Sequence, residues 1–395
     1  MQPITKPLEQ FTELLVTRQP WISAFLSYLP HIDLYLVGGS IRDLCLAINS
    51  KNYNINNVFD IIKDIDMAIE GVNLDVMDIT LNMLVRDGWI EKWTYAGEQF
   101  PVYKVTNNGE VIDLALTRTE VSTGISHSDF EINFNSISIE EDLRRRDFTI
   151  NAMAWSIKRK VFIDPFNGWN DLINNHVIRI CSPTSFSEDP LRMLRAIQFS
   201  IRFGLWLDKL THSKMAEDVV KITTVSKERV VMELLKIPKS KYKSAAILLE
   251  SYGINRLLFN SKILINYKLL NKASLARFLF TLAGSSTTML LNYPLPKNVV
   301  TEIRSIDLAH RNELTKTHLA KLVSANKCLR LDKIMQNSHK IHLMPDYKTE
   351  LFVKVKDLLD IGYPQHKISE LLIDIAVARY DLAISKLNLH EKPSI

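Results

Sequence analysis

Two kinds of apolar periodicity divide the chain. Over residues 31–162, short runs rich in β-branched and aromatic residues alternate with turn signals such as "NNGE", and the runs "LYLVGG", "DIDMAIE", "FPVYKV" and "VIDLALT" predict strands. Helical spacing intervenes at residues 41–49 and 75–87, precedes the strands over about residues 8–28, and continues from about Asp189 to the end. The pattern therefore predicts an α/β head followed by an all-helical remainder.

Composition indicates a globular protein of two or more domains, since the chain has 395 residues, of which 46% are hydrophobic and 24% charged. No window reaches the length of a membrane-spanning helix, and "MQPITKPLEQFTELL" lacks the order of a signal peptide. Cys45, Cys181 and Cys328 are odd in number and far apart, which argues against a disulfide framework or a cysteine-ligated zinc site. We expect cytoplasmic residence and no membrane association.

The charge is distributed unevenly. Residues 1–235 contain 24 Lys+Arg against 31 Asp+Glu, a net of −7, whereas residues 236–395 contain 25 against 13, a net of +12. An acidic half joined to a basic half suggests chemistry in the first and a polyanionic partner on the second. Merely solvated basic helices are the alternative interpretation, because charge alone does not place these residues on one face.

A glycine-rich turn follows the first predicted strand. Gly38, Gly39 and Ser40 come directly after "LYLV" and open a predicted helix. Free backbone amides at a helix N-terminus and the helix dipole favour phosphate oxygens. Arg42 is placed to add charge on the same phosphates, and Asp43 to orient it. The stretch predicts a phosphate-binding turn.

Three aspartates are candidates for a metal site. Asp64 and Asp66 are two residues apart in a predicted strand, so their side chains share a face. Such close carboxylates are unfavourable without a cation, and Mg²⁺, which takes oxygen ligands, fits best. Asp113, in the later strand "VIDLALT", is expected to reach the same ions. The set predicts a two-metal arrangement that activates a hydroxyl and neutralises a leaving pyrophosphate.

The run "EEDLRRRDFTINAMAWS" places polar residues beside apolar ones. Its three arginines end at Arg146, and Asp147 and Asn151 follow with the spacing of one helical turn. Because "INAMAW" is apolar enough to be buried, the Asp and Asn predict polar recognition, for example of ribose hydroxyls. A solvated helix face is the other interpretation of the arginines.

The run "SPTSFSEDPLRMLRAIQFSIRFG" carries a helix-start signal, with Ser187 as the expected N-cap and an early helical proline. This signal explains the acids of "SEDP" but not the arginines. Asp189, Arg192 and Arg195 are spaced i, i+3 and i+6 and are expected to share one face. A carboxylate acceptor beside a guanidinium fork can read the edge of a base.

Five ordered motifs resemble those of class II tRNA nucleotidyltransferases, the CCA-adding enzymes of the polymerase β superfamily. They are "LVGGSIRDLCL…KDIDMAIEG", "GEQFPVYKV…VIDLALTRTE", "EEDLRRRDFTINAMAW", "IDPFNGWNDLINNHVIRI" and "FSEDPLRMLRAIQFSIRFG". The resemblance covers roughly residues 34–235 and becomes weak beyond about residue 240. It implies a polymerase β-type nucleotidyltransferase head with a mixed β-sheet, followed by an all-α neck, body and tail.

The resemblance also implies roles for individual residues. Asp64 and Asp66 match the metal-binding carboxylates, and Asp113 matches the third catalytic acidic position; two Mg²⁺ ions are expected. The positions that match the family's nucleotide-binding residues are Gly38, Gly39, Ser40, Arg42, Arg146, Asp147, Asn151, Glu188, Asp189, Arg192 and Arg195. The run "TRTEVSTGISHSDFEINFNS" occupies the flexible loop that the family uses to switch from CTP to ATP.

By the same resemblance, the chain is expected to divide into an N-terminal helical extension (1–30), a nucleotidyltransferase head (31–162), a helical neck that selects the base (163–235), a helical body (236–300) and a helical, tRNA-binding tail (301–395). The implied activity is template-independent addition of CCA to the 3′ end of tRNA from CTP and ATP. No adjacent His-Asp pair occurs in the sequence, so the phosphohydrolase domain of some bacterial relatives is not expected.

Three alternatives to a full CCA-adding enzyme stay open at the level of sequence. The nearest are a bacterial poly(A) polymerase, which shares the head motifs, and an enzyme that adds only the terminal A. An inactive RNA-binding module is the third, and the intact carboxylates and phosphate turn argue against it.

Overall fold

The computed structural model describes residues 4–50, 53–62, 64–96, 102–122, 130–133, 137–261, 270, 273–284 and 286–310. It divides into two compact units, Met1–Val225 and Ser226–Ile395. The division into head, neck, body and tail that the motifs imply remains a prediction, and most of the tail lies outside the described residues.

The first unit is built on a mixed seven-stranded sheet with the strand order β3-β4-β5-β2-β1-β8-β9. Its strands are β1 (Asp33–Val37), β2 (Ile65–Glu70), β3 (Lys92–Ala96), β4 (Val102–Asn107), β5 (Glu110–Leu116), β8 (Ala154–Ser156) and β9 (Val161–Ile163). Only β2 and β5 pair in parallel, and the other neighbouring pairs within this sheet are antiparallel. The predicted mixed sheet is confirmed, with β3, β8 and β9 added to it.

Helices surround this sheet and continue the chain beyond it. In the first unit they are α1 (Thr5–Arg18), α2 (Trp21–Tyr28), α3 (Gly38–Ile48), α4 (Val58–Ile61), α5 (Leu74–Arg86), α6 (Ile139–Arg144), α7 (Gly168–Asn170), α8 (Ser185–Glu188), α9 (Leu191–Phe203) and α10 (Lys209–Asp218). In the described part of the second unit they are α11 (Lys227–Leu235), α12 (Tyr242–Ser251), α13 (Ile254–Phe259), α14 (Leu275–Leu282), α15 (Thr287–Leu291) and α16 (Lys297–His310).

Two sequence-based boundaries are corrected near the N-terminus and in the loop. The single helix expected over residues 8–28 is two helices, because Pro20 disfavours helical geometry at Gln19 and begins α2. In the run read as a flexible loop, β6 (Thr119–Ser122) pairs antiparallel with β7 (Phe130–Asn133). Residues 123–129 and 134–136 of that run lie outside the described residues.

Among the described residues, the region after Asp189 is helical, as predicted, apart from connecting turns and one short strand. Gly204, with φ 70°, ends α9 in the left-handed conformation that glycine adopts without steric cost. The chain then extends as β11 (Trp206–Leu207), which pairs in parallel with β10 (Val177–Ile178). None of the described helices is long and apolar enough to cross a membrane.

One face of the large sheet forms a core with α6. Its buried members are Tyr35, Val37, Ala68, Ile139, Leu143, Ala152 and Ala154. Tyr35 pairs with Ala68 across β1 and β2. Because strand side chains alternate between faces, Asp66 lies on this same face two residues before Ala68. The Asp66 carboxylate therefore lies beside this core, near the N-terminal end of β2.

Candidate active site

The phosphate turn predicted from sequence forms the junction of β1 and α3. Gly38 is the first residue of α3, has φ 62°, and follows Val37, whose side chain cannot cap the helix. A Cβ atom added to Gly38 would lie 2.8 Å from Nη1 of Arg146 and 3.8 Å from Oδ2 of Asp66. The backbone thus approaches the Arg146 guanidinium more closely than a Cβ atom would allow, while Asp66 is at ordinary contact distance. Backbone amides at a helix start beside a guanidinium suit phosphate binding.

Ser40 joins this turn to the carboxylate strand. Its hydroxyl donates to the carbonyl oxygen of Asp64 at 3.1 Å and accepts from the amide of Asp66 at 2.6 Å. The side chain is buried, so these bonds fix the position of α3 relative to the start of β2. Ser40 therefore acts on the aspartates through their backbone.

The two strands that carry Asp66 and Asp113 are hydrogen-bonded neighbours. Asp66 in β2 is the register partner of Asp113 in the parallel strand β5, so both carboxylates project from the same face. Asp64 is exposed and lies just before β2. Burial, and then the charge of Asp113, raise the pKa of Asp66, while Arg146 opposes the rise. The structure thus places Asp66 and Asp113 on neighbouring strands, with Asp64 just before β2.

A lysine that sequence reasoning missed contacts the third carboxylate. Nζ of Lys104 lies 2.7 Å from Oδ1 and 2.8 Å from Oδ2 of Asp113. Lys104 lies directly opposite Asp113 in the antiparallel pairing of β4 and β5. Among the described residues, no group of three His, Cys, Asp or Glu side chains lies close enough to hold a metal ion in this conformation.

Arg42 holds an internal position. Its Nη1 donates to Oδ1 of Asn151 at 2.7 Å and its Nε to Oδ1 of Asp43 at 2.8 Å, so Asp43 orients it as predicted. The guanidinium lies 5.2 Å from the ring centre of Phe199 and 4.7 Å from that of Phe203. The side chain is 5% exposed, and burial lowers its pKa. These contacts connect α3 to α9 and commit much of the guanidinium to protein partners.

Arg146 is the guanidinium that faces the phosphate turn. Its Nη2 donates to Oδ2 of Asp142 at 3.0 Å, and Arg145 binds Oδ1 of the same carboxylate through Nη2 at 2.7 Å. Asp142 is 1% exposed. Its burial acts to raise its pKa, but the charges and hydrogen bonds of the two arginines outweigh burial and hold the pKa below its usual value. Asp142 therefore orients Arg146 next to Gly38, although the sequence motifs did not indicate a role for Asp142.

Asp147 and Asn151 form one buried polar cluster, although the helix expected there ends earlier. The α6 helix ends at Arg144, and Asn151 lies in a 3₁₀ turn, yet its Nδ2 donates to Oδ1 of Asp147 at 2.9 Å. Arg195 of α9 binds Oδ2 of Asp147 at 2.7 Å. Burial acts to raise the pKa of Asp147, but the Arg195 charge and the Asn151 hydrogen bond hold it below its usual value.

Gly168 supports the 3₁₀ turn that carries Asn151. A Cβ atom added to Gly168 would lie 2.1 Å from the carbonyl oxygen of Thr149, so only glycine fits at this position. The Thr149 hydroxyl donates to Oδ2 of Asp171 at 2.8 Å. The motif "IDPFNGWNDL" therefore contributes indirectly, because it fixes the backbone of the turn that carries Asn151.

The run "SFSEDPLRMLR", which the resemblance implicates in base selection, departs from its expected geometry. Ser187 does not cap a helix: it lies within the short helix α8, and Asp189 follows in an extended conformation before α9 begins at Leu191. Arg192 binds the carboxylate of Glu188 at 3.3 Å. The helix starts later than expected because Asp189, next to Pro190, is disfavoured in helical geometry.

Further contacts fix the two residues of this element. Oδ1 of Asp189 accepts from the amide of Leu191 at 3.2 Å. Nη2 of Arg192 donates to the carbonyl oxygen of Arg145 at 2.8 Å, and Nη1 to the hydroxyl of Ser185 at 3.0 Å. Arg192 thus connects the start of α9 to the end of α6, next to Arg146.

Comparison with known families matches part of the first unit. Residues 34–179 match the family described as the poly A polymerase head domain. The matched segment contains the phosphate turn, the three aspartates, and the cluster of Arg146, Asp147 and Asn151. The resemblance to CCA-adding nucleotidyltransferases of the polymerase β superfamily, inferred from the motifs, is confirmed.

Curated relatives resemble the head domain and the residues that follow it. A multifunctional CCA protein of Vibrio parahaemolyticus serotype O3:K6 is 36% identical over 208 residues, which are 51% of this chain and 44% of the relative. A CCA-adding enzyme of Geobacillus sp. strain WCH70 is 33% identical over 216 residues, 54% of this chain and 48% of the relative. The chain thus matches about half the length of these relatives.

Solved structures extend the likeness in fold beyond the head domain. A CCA-adding enzyme in an apo form aligns with a TM-score of 0.58 and 20% identity over 93% of this chain and 92% of the other. The Thermotoga maritima CCA-adding enzyme in complex with tRNA aligns with a TM-score of 0.55 and 21% identity over 96% and 92%. The predicted fold class, a mixed-sheet head followed by helices, is confirmed.

Proposed function

We propose that this protein adds C, C and A to the 3′ end of tRNA from CTP and ATP, without a nucleic-acid template. The observation that carries the proposal is the convergence of three features around the start of α3. Gly38 and Gly39 begin α3, where backbone amides have no acceptor within the helix, Arg146 faces the same turn, and Asp66 and Asp113 occupy adjacent strands beside it. This is the donor set that nucleotidyl transfer from a triphosphate needs. The relatives, a multifunctional CCA protein and a CCA-adding enzyme, support addition of CCA.

A divalent cation, which we take to be Mg²⁺, fits the acids of this site. The donors are all carboxylate oxygens, and Asp66 is held beside Asp113 although burial and that neighbouring charge disfavour its ionised form. Oδ2 of Asp66 also lies 3.5 Å from the position of a Cβ on Gly39, where the glycine leaves room. Asp64, Asp66 and Asp113 would hold two ions, which supply charge neutralisation for the attacking hydroxyl and the departing pyrophosphate.

The protein's own groups would bind and orient the nucleotide. The amides of the turn and the guanidinium of Arg146 would hold the triphosphate, and the Asp147–Asn151 cluster would contact the ribose. Asp189 and Arg192 would select the base, because an acceptor and a donor fork match the pairing edges of cytosine and adenine. Arg42 and Arg195 would contribute by holding Asn151 and Asp147 in place, as their bonds indicate.

The basic second half is proposed to bind tRNA. In its described part, exposed Lys239, Lys241 and Lys243 cluster before and at the start of α12. Solved relatives include a CCA-adding enzyme bound to tRNA and another bound to CTP, which supports both classes of substrate. An enzyme that works on tRNA with cellular CTP and ATP would act in the cytoplasm.

The experiment that tests the proposal supplies a tRNA transcript ending at the discriminator base with each NTP singly and then with all four. Addition of C, C and A followed by arrest is the expected result. A long ladder of A residues would instead identify a poly(A) polymerase. Addition of A only to tRNA that already ends in CC would identify an A-adding enzyme, and no transfer to either RNA would overturn the proposal.

A further inference from the structure

Asp113, the third carboxylate of the proposed metal site, forms an ion pair with a lysine on the neighbouring strand. Lys104 of β4 and Asp113 of β5 are directly opposed, and Nζ of Lys104 lies within 2.8 Å of both carboxylate oxygens of Asp113. Asp66 is the partner of the same Asp113 across the other edge of β5. Asp113 therefore lies between the Lys104 ammonium on one side and a second carboxylate on the other.

The lysine is positioned to be displaced. The Lys104 and Asp113 side chains are 42% and 35% exposed, so water competes for both groups. Ion pairs in such positions contribute little to stability and open readily. In contrast, the pair of Asp142 with Arg145 and Arg146 is buried around a carboxylate that is 2% exposed in its side chain, so it is a fixed part of the site.

We propose that Lys104 competes with a divalent cation for Asp113, so that Asp113 joins Asp64 and Asp66 as a metal ligand only when its ion pair with Lys104 opens. This inference rests on the proposed function, because it takes these three acids to be the cation site. Lys104 is a positioning residue here: it acts on the cation through Asp113.

Two physical effects give the proposal its direction. A cation that binds Asp113 must first break the ion pair, and the released ammonium then repels the cation at short range. Both effects weaken cation binding in the natural protein. Removing the charge at position 104 should therefore tighten binding, and the modest strength of an exposed pair suggests a change of about fivefold.

The test is titration of the full-length protein with Mn²⁺, monitored by electron paramagnetic resonance of the free ion, without nucleotide or RNA. Lys104→Met keeps most of the aliphatic stem and removes the charge, whereas Lys104→Arg keeps the charge. Lys92→Met is the matched control, because Lys92 is an exposed lysine on the neighbouring strand β3, two residues from the partner of Lys104. Circular dichroism checks that each variant is folded.

The expected result is that Lys104→Met binds Mn²⁺ about fivefold more tightly, while Lys104→Arg and Lys92→Met bind as the natural protein does. Equal affinities for all four proteins, or an equal gain in Lys104→Met and Lys92→Met, would overturn the inference. Weaker binding by Lys104→Met would also overturn it, since Lys104 would then be helping Asp113 to bind the ion.

A fifth protein, Asp66→Asn, separates this inference from the proposed function. If Asp66→Asn loses Mn²⁺ binding while Lys104→Met is unchanged, the cation site is real and only the competition is wrong. If Asp66→Asn and the natural protein bind Mn²⁺ alike, the cation site itself is refuted and the proposed function loses its metal.

Discussion

The guanidinium of Arg146 lies against Gly38, 2.8 Å from where a Cβ atom of that residue would be. Arg146 is therefore in direct contact with the turn that we propose to hold phosphates, and its charge would neutralise them. Asp142 orients this arginine, because its Oδ2 accepts a hydrogen bond of 3.0 Å from Nη2 of Arg146. The position of the positive charge is thus determined by the absence of a side chain at residue 38.

This contact makes Gly38→Ala a specific test of the phosphate turn. The added methyl group would push Arg146 aside and would also strain a backbone with φ 62°. We expect kcat/KM for both CTP and ATP to fall at least tenfold in steady-state assays. Gly88→Ala is the control, since Gly88 has φ 78° and nothing within 4 Å of an added Cβ. A comparable loss of activity in both variants would show that backbone strain, and not Arg146, is responsible.

Asp66 should make the stability of the protein depend on pH. Burial and the charge of Asp113 raise its pKa above the unfolded value, so its contribution to stability is fully present below about pH 4 and is lost as the pH rises through the folded pKa. Asp66→Asn should therefore raise Tm at pH 7 without divalent cations, with a smaller gain near pH 4. Thermal melts over this pH range, with exposed Glu140→Gln on α6 as control, check the effect; a gain that does not grow with pH would contradict it.

Base selection can be tested at Asp189. Uracil presents a carbonyl where cytosine and adenine present an amino group, so it leaves the Asp189 carboxylate facing an acceptor. An unpaired buried polar group costs about 1–3 kcal/mol, or about ten- to hundredfold in selectivity. We expect Asp189→Ala to relax rejection of UTP, measured as the ratio of kcat/KM for CTP and UTP, and Arg192→Ala to weaken CTP and ATP together. An unchanged ratio in Asp189→Ala, with exposed Glu217→Ala as reference, would remove Asp189 from this role.

Binding of tRNA should depend strongly on salt. Each phosphate contact by a lysine or arginine releases condensed counterions, so the logarithm of the affinity should fall linearly with the logarithm of the salt concentration. Replacing Lys239, Lys241 and Lys243 by Glu should weaken tRNA binding in filter assays and reduce the slope. The same replacement of exposed Lys6, Lys92 and Lys209 in the first unit should change binding little. Equal losses in both triple variants would show that only net charge matters.

Local spacing was sufficient to predict some parts of the site. Glycines after an apolar run indicate the turn at the start of α3, because that signal lies within a few residues. Strand alternation predicted that Asp64 and Asp66 share a face, but Asp64 lies just before β2. Asp147 and Asn151 were expected one helical turn apart, and the structure joins them by a hydrogen bond from a 3₁₀ turn. Close sequence neighbours can meet in more than one backbone geometry.

Long-range contacts could not be predicted in the same way. Lys104 meets Asp113 only because the turn at Asn108 and Gly109 sets the register of β4 against β5. Arg42 was expected on phosphates, but it lies against Phe199 and Phe203, which are far along the chain in α9. Such contacts depend on tertiary packing, which periodicity and local spacing do not predict.

The hydroxyl of Ser40 has a consequence for how any ligand measurement on this protein behaves. One atom holds the start of α3 and the start of β2 together, so a displacement of either segment is transmitted to the other. Thermodynamic linkage requires the influence to be mutual: a cation that shifts the aspartates changes the affinity for a triphosphate by the same factor as the triphosphate changes the affinity for the cation. The affinity for nucleotide should therefore be measured as a function of cation concentration, because the proposed cation and triphosphate sites share this connection.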